Sequence, residues 1–194
     1  MLALVGAPST RMSASEYLTW ERSQSQRHEY VDGEVFAMAG GSPRHNALAA
    51  AIIGDLRAQL RGGPCRPLTS DQRIVARSGQ HYVYPDVSVV CGPVELAEGT
   101  RDVLANPWAV VEVLSPSTGS YDRGDKWASY RGIGSLTHYL LVSQAVSRIE
   151  WFSRQPDGAW RYEVVEAGGW ISLGERARLE IDALYDGVFE LPGE

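Results

Sequence analysis

Two short apolar runs in this sequence each carry one acidic residue. The runs are Tyr84–Val90, which contains Asp86, and Ala109–Ser115, which contains Glu112. Valine-rich runs of this length predict buried or half-buried strands. A buried carboxylate costs free energy unless a hydrogen-bond donor, a basic side chain or a metal ion compensates it. The two acids therefore predict a divalent-cation site on neighbouring strands.

Composition places this chain among ordinary globular proteins. It has 194 residues, of which 44% are hydrophobic and 22% charged, and this predicts one domain with a full core. We assign the domain to residues 13–194 and expect residues 1–12 to form a flexible leader. The net charge of -6 argues against tight non-specific binding to nucleic acid. A local metal site can still face phosphates on a negative surface.

The cysteines and the apolar segments narrow the class of protein further. Cys65 and Cys91 form no CxxC pair and have no histidine at ligand spacing, which disfavours both a zinc site and a disulfide framework. We expect Cys91 to be a small buried hydrophobic residue. No apolar stretch is long enough to span a membrane and no signal segment is recognisable. We therefore expect a cytoplasmic protein without a membrane partner.

Turn signals and periodicity predict an α/β or α+β fold with one mixed sheet. A first helix begins at the capping box Ser13–Glu16, and Asp32-Gly33 between two alternating runs predicts a β-hairpin with a type I′ turn. Further helices are predicted at about 45–60, 122–131 and 182–189. The predicted strands are residues 72–76, 87–91, 108–114, 137–142, 147–152, 160–165 and 170–173.

Asp86 and Glu112 have the oxygen donors that hard divalent cations prefer. Together with the carbonyl group of Val113, they would supply half of a coordination shell and leave positions for water and a phosphate oxygen. The alternative is that each carboxylate caps a turn or pairs with an arginine. This alternative is weaker for Glu112, because a glutamate among valines is rarely buried without a partner.

Lys126 and His45 are the candidate partners of the two acids. Lys126 is the only lysine of the chain and lies on the helix predicted after the Glu112 strand, where it could orient an attacking water or neutralise developing charge. His45 begins the long helix and could contact a phosphate or a metal-bound water. The alternatives are a solvated ion pair between Lys126 and Asp122, and a surface histidine.

Two further acids could add a carboxylate to this site. Glu29 lies in the first strand of the predicted hairpin, and Asp71 precedes a predicted strand. Glu29 can equally belong to the solvated face of the hairpin, so both assignments stay open at this point.

Several segments form a pattern that is found in one known family. The segments are Tyr84–Val90, Val110–Thr118, Tyr121–Lys126, Tyr130 and His138–Val142, with Glu29–Glu34 and His45 upstream. This pattern resembles the Uma2 family, whose members are described as putative restriction endonucleases. The resemblance extends over about residues 13–189, and its most specific part is the run from Glu112 to Thr118 followed by an aspartate and a lysine.

The resemblance implies a branch of the PD-(D/E)XK nuclease superfamily. It therefore implies a restriction-endonuclease-like mixed β-sheet flanked by helices, with an N-terminal β-hairpin and additional C-terminal strands. It also implies Asp86 and Glu112 as metal ligands. The lysine that the superfamily pattern places two residues after the second acid is Leu114 here. Lys126 would have to replace it from the following helix.

From these observations we expect an Mg²⁺- or Mn²⁺-dependent endonuclease that hydrolyses phosphodiester bonds in DNA. Its catalytic residues would be Asp86, Glu112, Lys126 and His45, and its metal ligands Asp86, Glu112 and Val113. A homodimer is expected because cutting two strands suits two-fold symmetry. Two alternatives stay open, namely an inactive nucleic-acid or protein interaction module on the same fold, and a hydrolase of another phosphoester such as RNA.

Overall fold

The computed structural model describes residues 10–76 and 79–193. The strands are β1 (Thr10–Arg11), β2 (His28–Val31), β3 (Glu34–Ala37), β4 (Cys65–Thr69), β5 (Arg73–Ala76), β6 (His81–Val83), β7 (Val87–Cys91), β8 (Val103–Leu104), β9 (Pro107–Leu114), β10 (His138–Ser143), β11 (Arg148–Arg154), β12 (Trp160–Glu166), β13 (Trp170–Leu173) and β14 (Ala177–Glu180). The helices are α1 (Ala14–Glu21), α2 (Pro43–Gln59), α3 (Gly119–Tyr121), α4 (Trp127–Tyr130) and α5 (Ile181–Leu184), with a π-helical turn at Asp122–Lys126 and a 3₁₀ turn at Val188–Glu190.

The fold is mixed α/β. The described residues form two six-stranded sheets and a two-stranded sheet of β13 and β14, where the sequence predicted one sheet. The first sheet has the order β1-β3-β2-β6-β5-β8 and the second has the order β12-β11-β10-β9-β7-β4. Each is mixed, because β5 and β8 run parallel in the first sheet and β9 and β10 run parallel in the second. The prediction of one sheet was wrong because the chain changes sheet between Val83 and Val87, inside a run that resembles one continuous strand.

The second sheet is covered on both faces, which places Glu112 in the interior. Successive side chains of a strand point to opposite faces, so Val111 and Val113 of β9 pack with α2 in one core cluster. Val110 and Leu114 lie in the other cluster, with Tyr130, Tyr139 and side chains of the first sheet. Glu112 shares the face of Val110 and Leu114 and therefore points into this second layer.

Several local predictions are confirmed. The Ser13 side chain and Glu16 form a reciprocal capping box at the start of α1. Asp32 and Gly33 have φ values of 48° and 92°, and positive values at both central residues define the type I′ turn. The long helix is α2, which begins with Ser42 as its N-cap residue and Pro43 in its first turn.

Other predicted boundaries are corrected. The second helical segment begins at Gly119 and contains the π-helical turn; Asp122 suggested a helix start because acids favour the first turn. The closing helix is divided, because Gly187 adopts a φ of 67° between α5 and the 3₁₀ turn. Of the expected leader, Thr10 and Arg11 pair with β3, and residues 1–9 lie outside the described part of the chain. No helix of the described residues is long and apolar enough to cross a membrane.

The prediction for the cysteines was wrong. Cys65 and Cys91 lie directly opposite each other on β4 and β7 and form a disulfide bond. Sequence analysis missed β4 because Pro67 lies in its middle. Proline is tolerated on edge strands, and β4 is the edge of the second sheet.

We expect the disulfide to stabilise the second sheet by restricting the unfolded chain. It links cysteines 26 residues apart, and closing a loop of that length is worth about 3–4 kcal/mol. Urea unfolding of the oxidised and the fully reduced protein should differ by roughly that amount. The Cys65→Ala, Cys91→Ala double variant is the control, because its unfolding should not respond to reductant. Equal stability of the oxidised and reduced forms would contradict this prediction.

Candidate active site

The pairing of β7 with β9 brings the two predicted acids together. Val87 pairs with Val111 in an antiparallel ladder. Asp86, one residue before β7, therefore lies opposite Glu112. The Val113 N–H donates a 2.7 Å hydrogen bond to Asp86 Oδ2. Glu112 is 4% exposed. The prediction that these acids occupy neighbouring strand segments is confirmed.

His45 reaches the same place from the first turn of α2. Ser42 caps the helix by accepting a hydrogen bond from the His45 N–H at 3.2 Å, which fixes the direction of the histidine. Its Nε2 lies 3.2 Å from Asp86 Oδ2. A β-carbon at Gly41 would lie 2.5 Å from His45 Nδ1, so the turn before α2 leaves room for this ring only if Gly41 has no side chain.

Lys126 lies at the centre of a buried charge cluster, which we define as Lys126, Glu29, Glu112 and Asp122. Its Nζ is 3.1 Å from Glu112 Oε1, 3.2 Å from Glu29 Oε1 and 3.4 Å from Asp122 Oδ1. All four side chains are buried. The alternative of a solvated Lys126–Asp122 pair is therefore wrong, although the two residues do form an ion pair.

Burial and charge act in opposite directions on the members of this cluster. Burial raises the pKa of Glu112 well above its usual value, and Asp122, Asp86 and Glu29 add to the rise, while Lys126 lowers it. Burial raises the pKa of Glu29 in the same way, against the lowering effect of Lys126. Burial lowers the pKa of Lys126, but the surrounding carboxylates outweigh it and hold that pKa well above its usual value. The carboxylates therefore favour the charged form of Lys126.

Hydroxyl groups hold the helical segment that carries Lys126. Tyr130, on α4, donates a 2.8 Å hydrogen bond to Glu112 Oε1. The ring nitrogens of His81 lie 2.6 Å from Ser129 Oγ and 2.7 Å from the Tyr121 hydroxyl oxygen. These two contacts flank the π-helical turn on both sides and fix it against β6 of the first sheet.

Glu29 belongs to the cluster, whereas Asp71 does not. Glu29 Oε1 accepts a 3.3 Å hydrogen bond from the Tyr84 N–H in addition to its contact with Lys126. The Asp71 side chain is 85% exposed and pairs with Arg27 at 3.2 Å. All residues of β2 are buried, so this strand has no solvated face. The alternation of polar and apolar residues in the hairpin therefore could not show that Glu29 is buried.

A cavity of about 670 Å³ opens onto these groups, and we call it the first cavity. Its walls include Asp86, Glu112, Lys126 and His45, together with Gly40–Ser42 and the loop at Ser115–Thr118. Within the loop, Ser115 Oγ accepts a 3.1 Å hydrogen bond from the Thr118 N–H. The serine-rich run after β9 is therefore a turn in which the Ser115 hydroxyl bonds to the backbone.

The residues at the first cavity fit a hard divalent cation. No group of three His, Cys, Asp or Glu side chains with metal-ligand spacing occurs in the described ranges, so protein side chains alone would not complete a shell. Asp86 and Glu112 offer carboxylate oxygens, which suit Mg²⁺ or Mn²⁺. The Val113 carbonyl points to the same edge of β9 as the N–H that bonds Asp86. Three buried carboxylates also outnumber the one buried lysine, and a cation would compensate the excess charge.

The fold and the site define a class of restriction-endonuclease-like α/β proteins. The family model of Uma2, described as "Putative restriction endonuclease", matches residues 14–183. The chain belongs to the Uma2 family. This confirms the resemblance and the fold class that the sequence predicted.

Individual proteins resemble this chain over most of its length. An uncharacterized protein of Synechocystis sp. is 37% identical over 183 residues, which cover 94% of this chain and 95% of that protein. A second uncharacterized Synechocystis protein is 29% identical over 177 residues, with 91% and 96% covered. A solved structure of a putative nuclease of the DUF820 group from Anabaena variabilis superposes with a TM-score of 0.75 at 17% identity, covering 91% of this chain and 99% of its own. At 17% identity, this likeness shows only that the two proteins share a fold.

The buried charge cluster predicts an unusual effect of pH on stability. Because burial raises the pKa of Glu112 above its unfolded value, the folded state binds the proton more tightly. Glu112 therefore stabilises the fold below its unfolded pKa, and this contribution is lost as the pH rises. Glutamine mimics the protonated form at every pH. We expect Glu112→Gln to match the wild type near about pH 4 and to have a larger unfolding free energy than the wild type near about pH 8.

Glu150→Gln is the matched control with the opposite sign. Burial raises the pKa of Glu150, but hydrogen bonds from Arg123 and Arg148 outweigh it and lower that pKa. Its stabilising contribution is present above the unfolded pKa and is lost as the pH falls. Glu150→Gln should therefore be less stable than the wild type at neutral pH and approach it in acid. Denaturant unfolding across this pH range measures both variants, and shifts of the same sign in both would contradict the assignment.

Proposed function

We propose that this chain is an Mg²⁺- or Mn²⁺-dependent endonuclease that hydrolyses phosphodiester bonds in DNA. Family and fold support a nuclease. The observation that carries the finer proposal is the convergence of Asp86, Glu112, Lys126 and His45, from four separate elements, on the wall of the first cavity. Hydrolysis of a phosphodiester needs these functions: oxygen ligands for a cation, a fixed positive charge and a group that can exchange a proton.

Asp86, Glu112 and the Val113 carbonyl would hold the cation. When bound, the metal would act as a Lewis acid toward a phosphate oxygen. The chain's own contribution is to keep the ligands in place. The Val113 N–H fixes Asp86, and Tyr130 and Lys126 fix Glu112 at 2.8 Å and 3.1 Å. A ligand held by two donors loses little side-chain freedom when it binds a cation.

Lys126 would stabilise negative charge rather than remove a proton. Its carboxylate neighbours hold it protonated, so it cannot accept a proton at neutral pH. Three contacts keep its ammonium beside Glu112, where it would orient a water molecule and stabilise the charge that develops on the phosphate group in the transition state. Glu29 and Asp122 would act as positioning residues through their contacts with the ammonium.

His45 is the group with proton-exchange chemistry at this site. An imidazole is the side chain whose unperturbed pKa lies closest to neutrality, and Asp86 at 3.2 Å orients its Nε2. We propose that it contacts the phosphate group or a water molecule at the mouth of the first cavity. The proposal includes a homodimer, because two-fold symmetry would present one such site to each strand of a duplex.

Cleavage assays with Asp86→Asn test this function. Wild type with Mn²⁺ or Mg²⁺ is expected to cut DNA, and the variant should lose more than about a hundredfold in rate, because metal activation of the phosphate is worth several kcal/mol. Gel analysis of single-stranded DNA, duplex DNA and RNA, with and without EDTA, measures the loss and separates DNA from RNA as substrate. Size-exclusion chromatography with light scattering on the same samples tests the homodimer.

Asp186→Asn is the matched control for this assay. Asp186 is exposed, lies outside the first cavity and undergoes the same chemical change. It should cut like the wild type. Equal residual cleavage in Asp86→Asn and the control would indicate a contaminating nuclease and contradict the site. No cleavage of any substrate by the wild type would favour an interaction module on the same fold.

A further inference from the structure

A second cavity lies beside the first and shares Ser115 with it. It has a volume of about 270 Å³, and its walls include Arg44, Arg123, Ser143 and Gln144. Gln144 lines the second cavity and contacts Ser42, a wall residue of the first cavity. It accepts a 2.8 Å hydrogen bond from the Ser42 hydroxyl and donates one of 2.9 Å to the Leu114 carbonyl. A ligand that extends past Ser115 would therefore occupy both cavities.

Consecutive residues of α2 face the two cavities. His45 lines the first cavity and contacts Asp86, whereas Arg44 lines the second. Both belong to the first turn of a helix that is fixed by its Ser42 cap. The spacing between a group bound at Asp86 and a group bound at Arg44 is therefore set by one rigid element.

Positive charge is in excess at the second cavity. The Arg44 guanidinium donates to the backbone carbonyls of Gln144, Phe189 and Leu191 and, within the described ranges, to no carboxylate. Its Nε is buried without a hydrogen-bond partner. Arg123 and Arg148 share the single carboxylate of Glu150, and the Arg123 side chain is 43% exposed. Among the described residues, the wall of the second cavity therefore has two arginines and no carboxylate, in a chain whose net charge is -6.

We propose that the second cavity binds a phosphate group of the nucleic-acid strand, next to the phosphate held at Asp86 and Glu112. The inference rests on the proposed function, and it adds a subsite that aligns the strand across Ser115. Guanidinium groups suit phosphate oxygens because their planar N–H donors match the geometry of the anion. Arg27 and Lys126 at the first cavity and Arg123 at the second are each paired with a carboxylate. Arg44, which pairs with no carboxylate of the described residues, would therefore be the main electrostatic anchor for the strand.

Binding experiments on two variants test the subsite without hydrolysis. In an Asp86→Asn parent with Mn²⁺, fluorescence anisotropy with labelled single-stranded and duplex DNA gives affinity as a function of salt. Arg44→Gln should weaken binding about tenfold and reduce the slope of log affinity against log salt by about 0.7 to 0.9. Ala145→Glu adds an acid to the exposed wall of the same cavity. It leaves intact the contacts of Arg44 with the carbonyls of Phe189 and Leu191, which we call the C-terminal tail. It should weaken binding to a similar extent.

Ala167→Glu is the matched control, because Ala167 is also exposed but lies outside both cavities. It should bind like the parent. If Ala145→Glu and Ala167→Glu bind equally well, the subsite is refuted and Arg44 only fastens the C-terminal tail, while the proposed nuclease function stands. If the parent binds neither DNA, and wild type also cuts no substrate, the proposed function fails and the subsite fails with it.

Discussion

The ion pairing of Lys126 with three buried carboxylates is the constraint on which this structure depends. Glu29 comes from the first sheet, Glu112 from the second, and Asp122 from the π-helical turn. Lys126 is the shared partner of all three carboxylates, and a buried charge that loses its partner costs about 3–5 kcal/mol. The cluster therefore holds two sheets and one helical segment in a single arrangement around the first cavity.

Local pattern was sufficient for the elements that depend on local physics. The valine-rich run around Glu112, the Asp32-Gly33 turn and the Ser13 capping box were all predicted from neighbouring residues, and their geometry depends on those residues. The division into two sheets was not predictable in this way. Tyr84–Asp86 crosses between the sheets, and a crossing segment flanked by valines has the same periodicity as a strand.

At the candidate site too, local sequence identified some residues, whereas others could be recognised only from the packing of distant segments. Asp86, Glu112, His45 and Lys126 could be selected because each is a reactive residue in an unusual local context, and the structure brings them together. Glu29 and Asp122 have ordinary contexts, a hairpin and a helix start, and their burial results from packing between distant segments. The Cys65–Cys91 bond was missed for a related reason, because it depends on a strand whose central proline argued against strand structure.

Lys126 lies 14 residues after Glu112 in sequence because the segment that carries it packs over the face of β9 that contains Glu112. A lysine at residue 114 would share that face with Glu112, but Leu114 is buried there in the core cluster that contains Tyr130 and Tyr139. The segment 119–130 covers this face and returns Lys126 to 3.1 Å from Glu112, so the ammonium reaches the acid from the opposite side of the layer. That route also buries it among Glu29 and Asp122, whose charges keep it protonated. In the proposed function, a lysine supplied by this covering segment would stabilise charge rather than serve as a base.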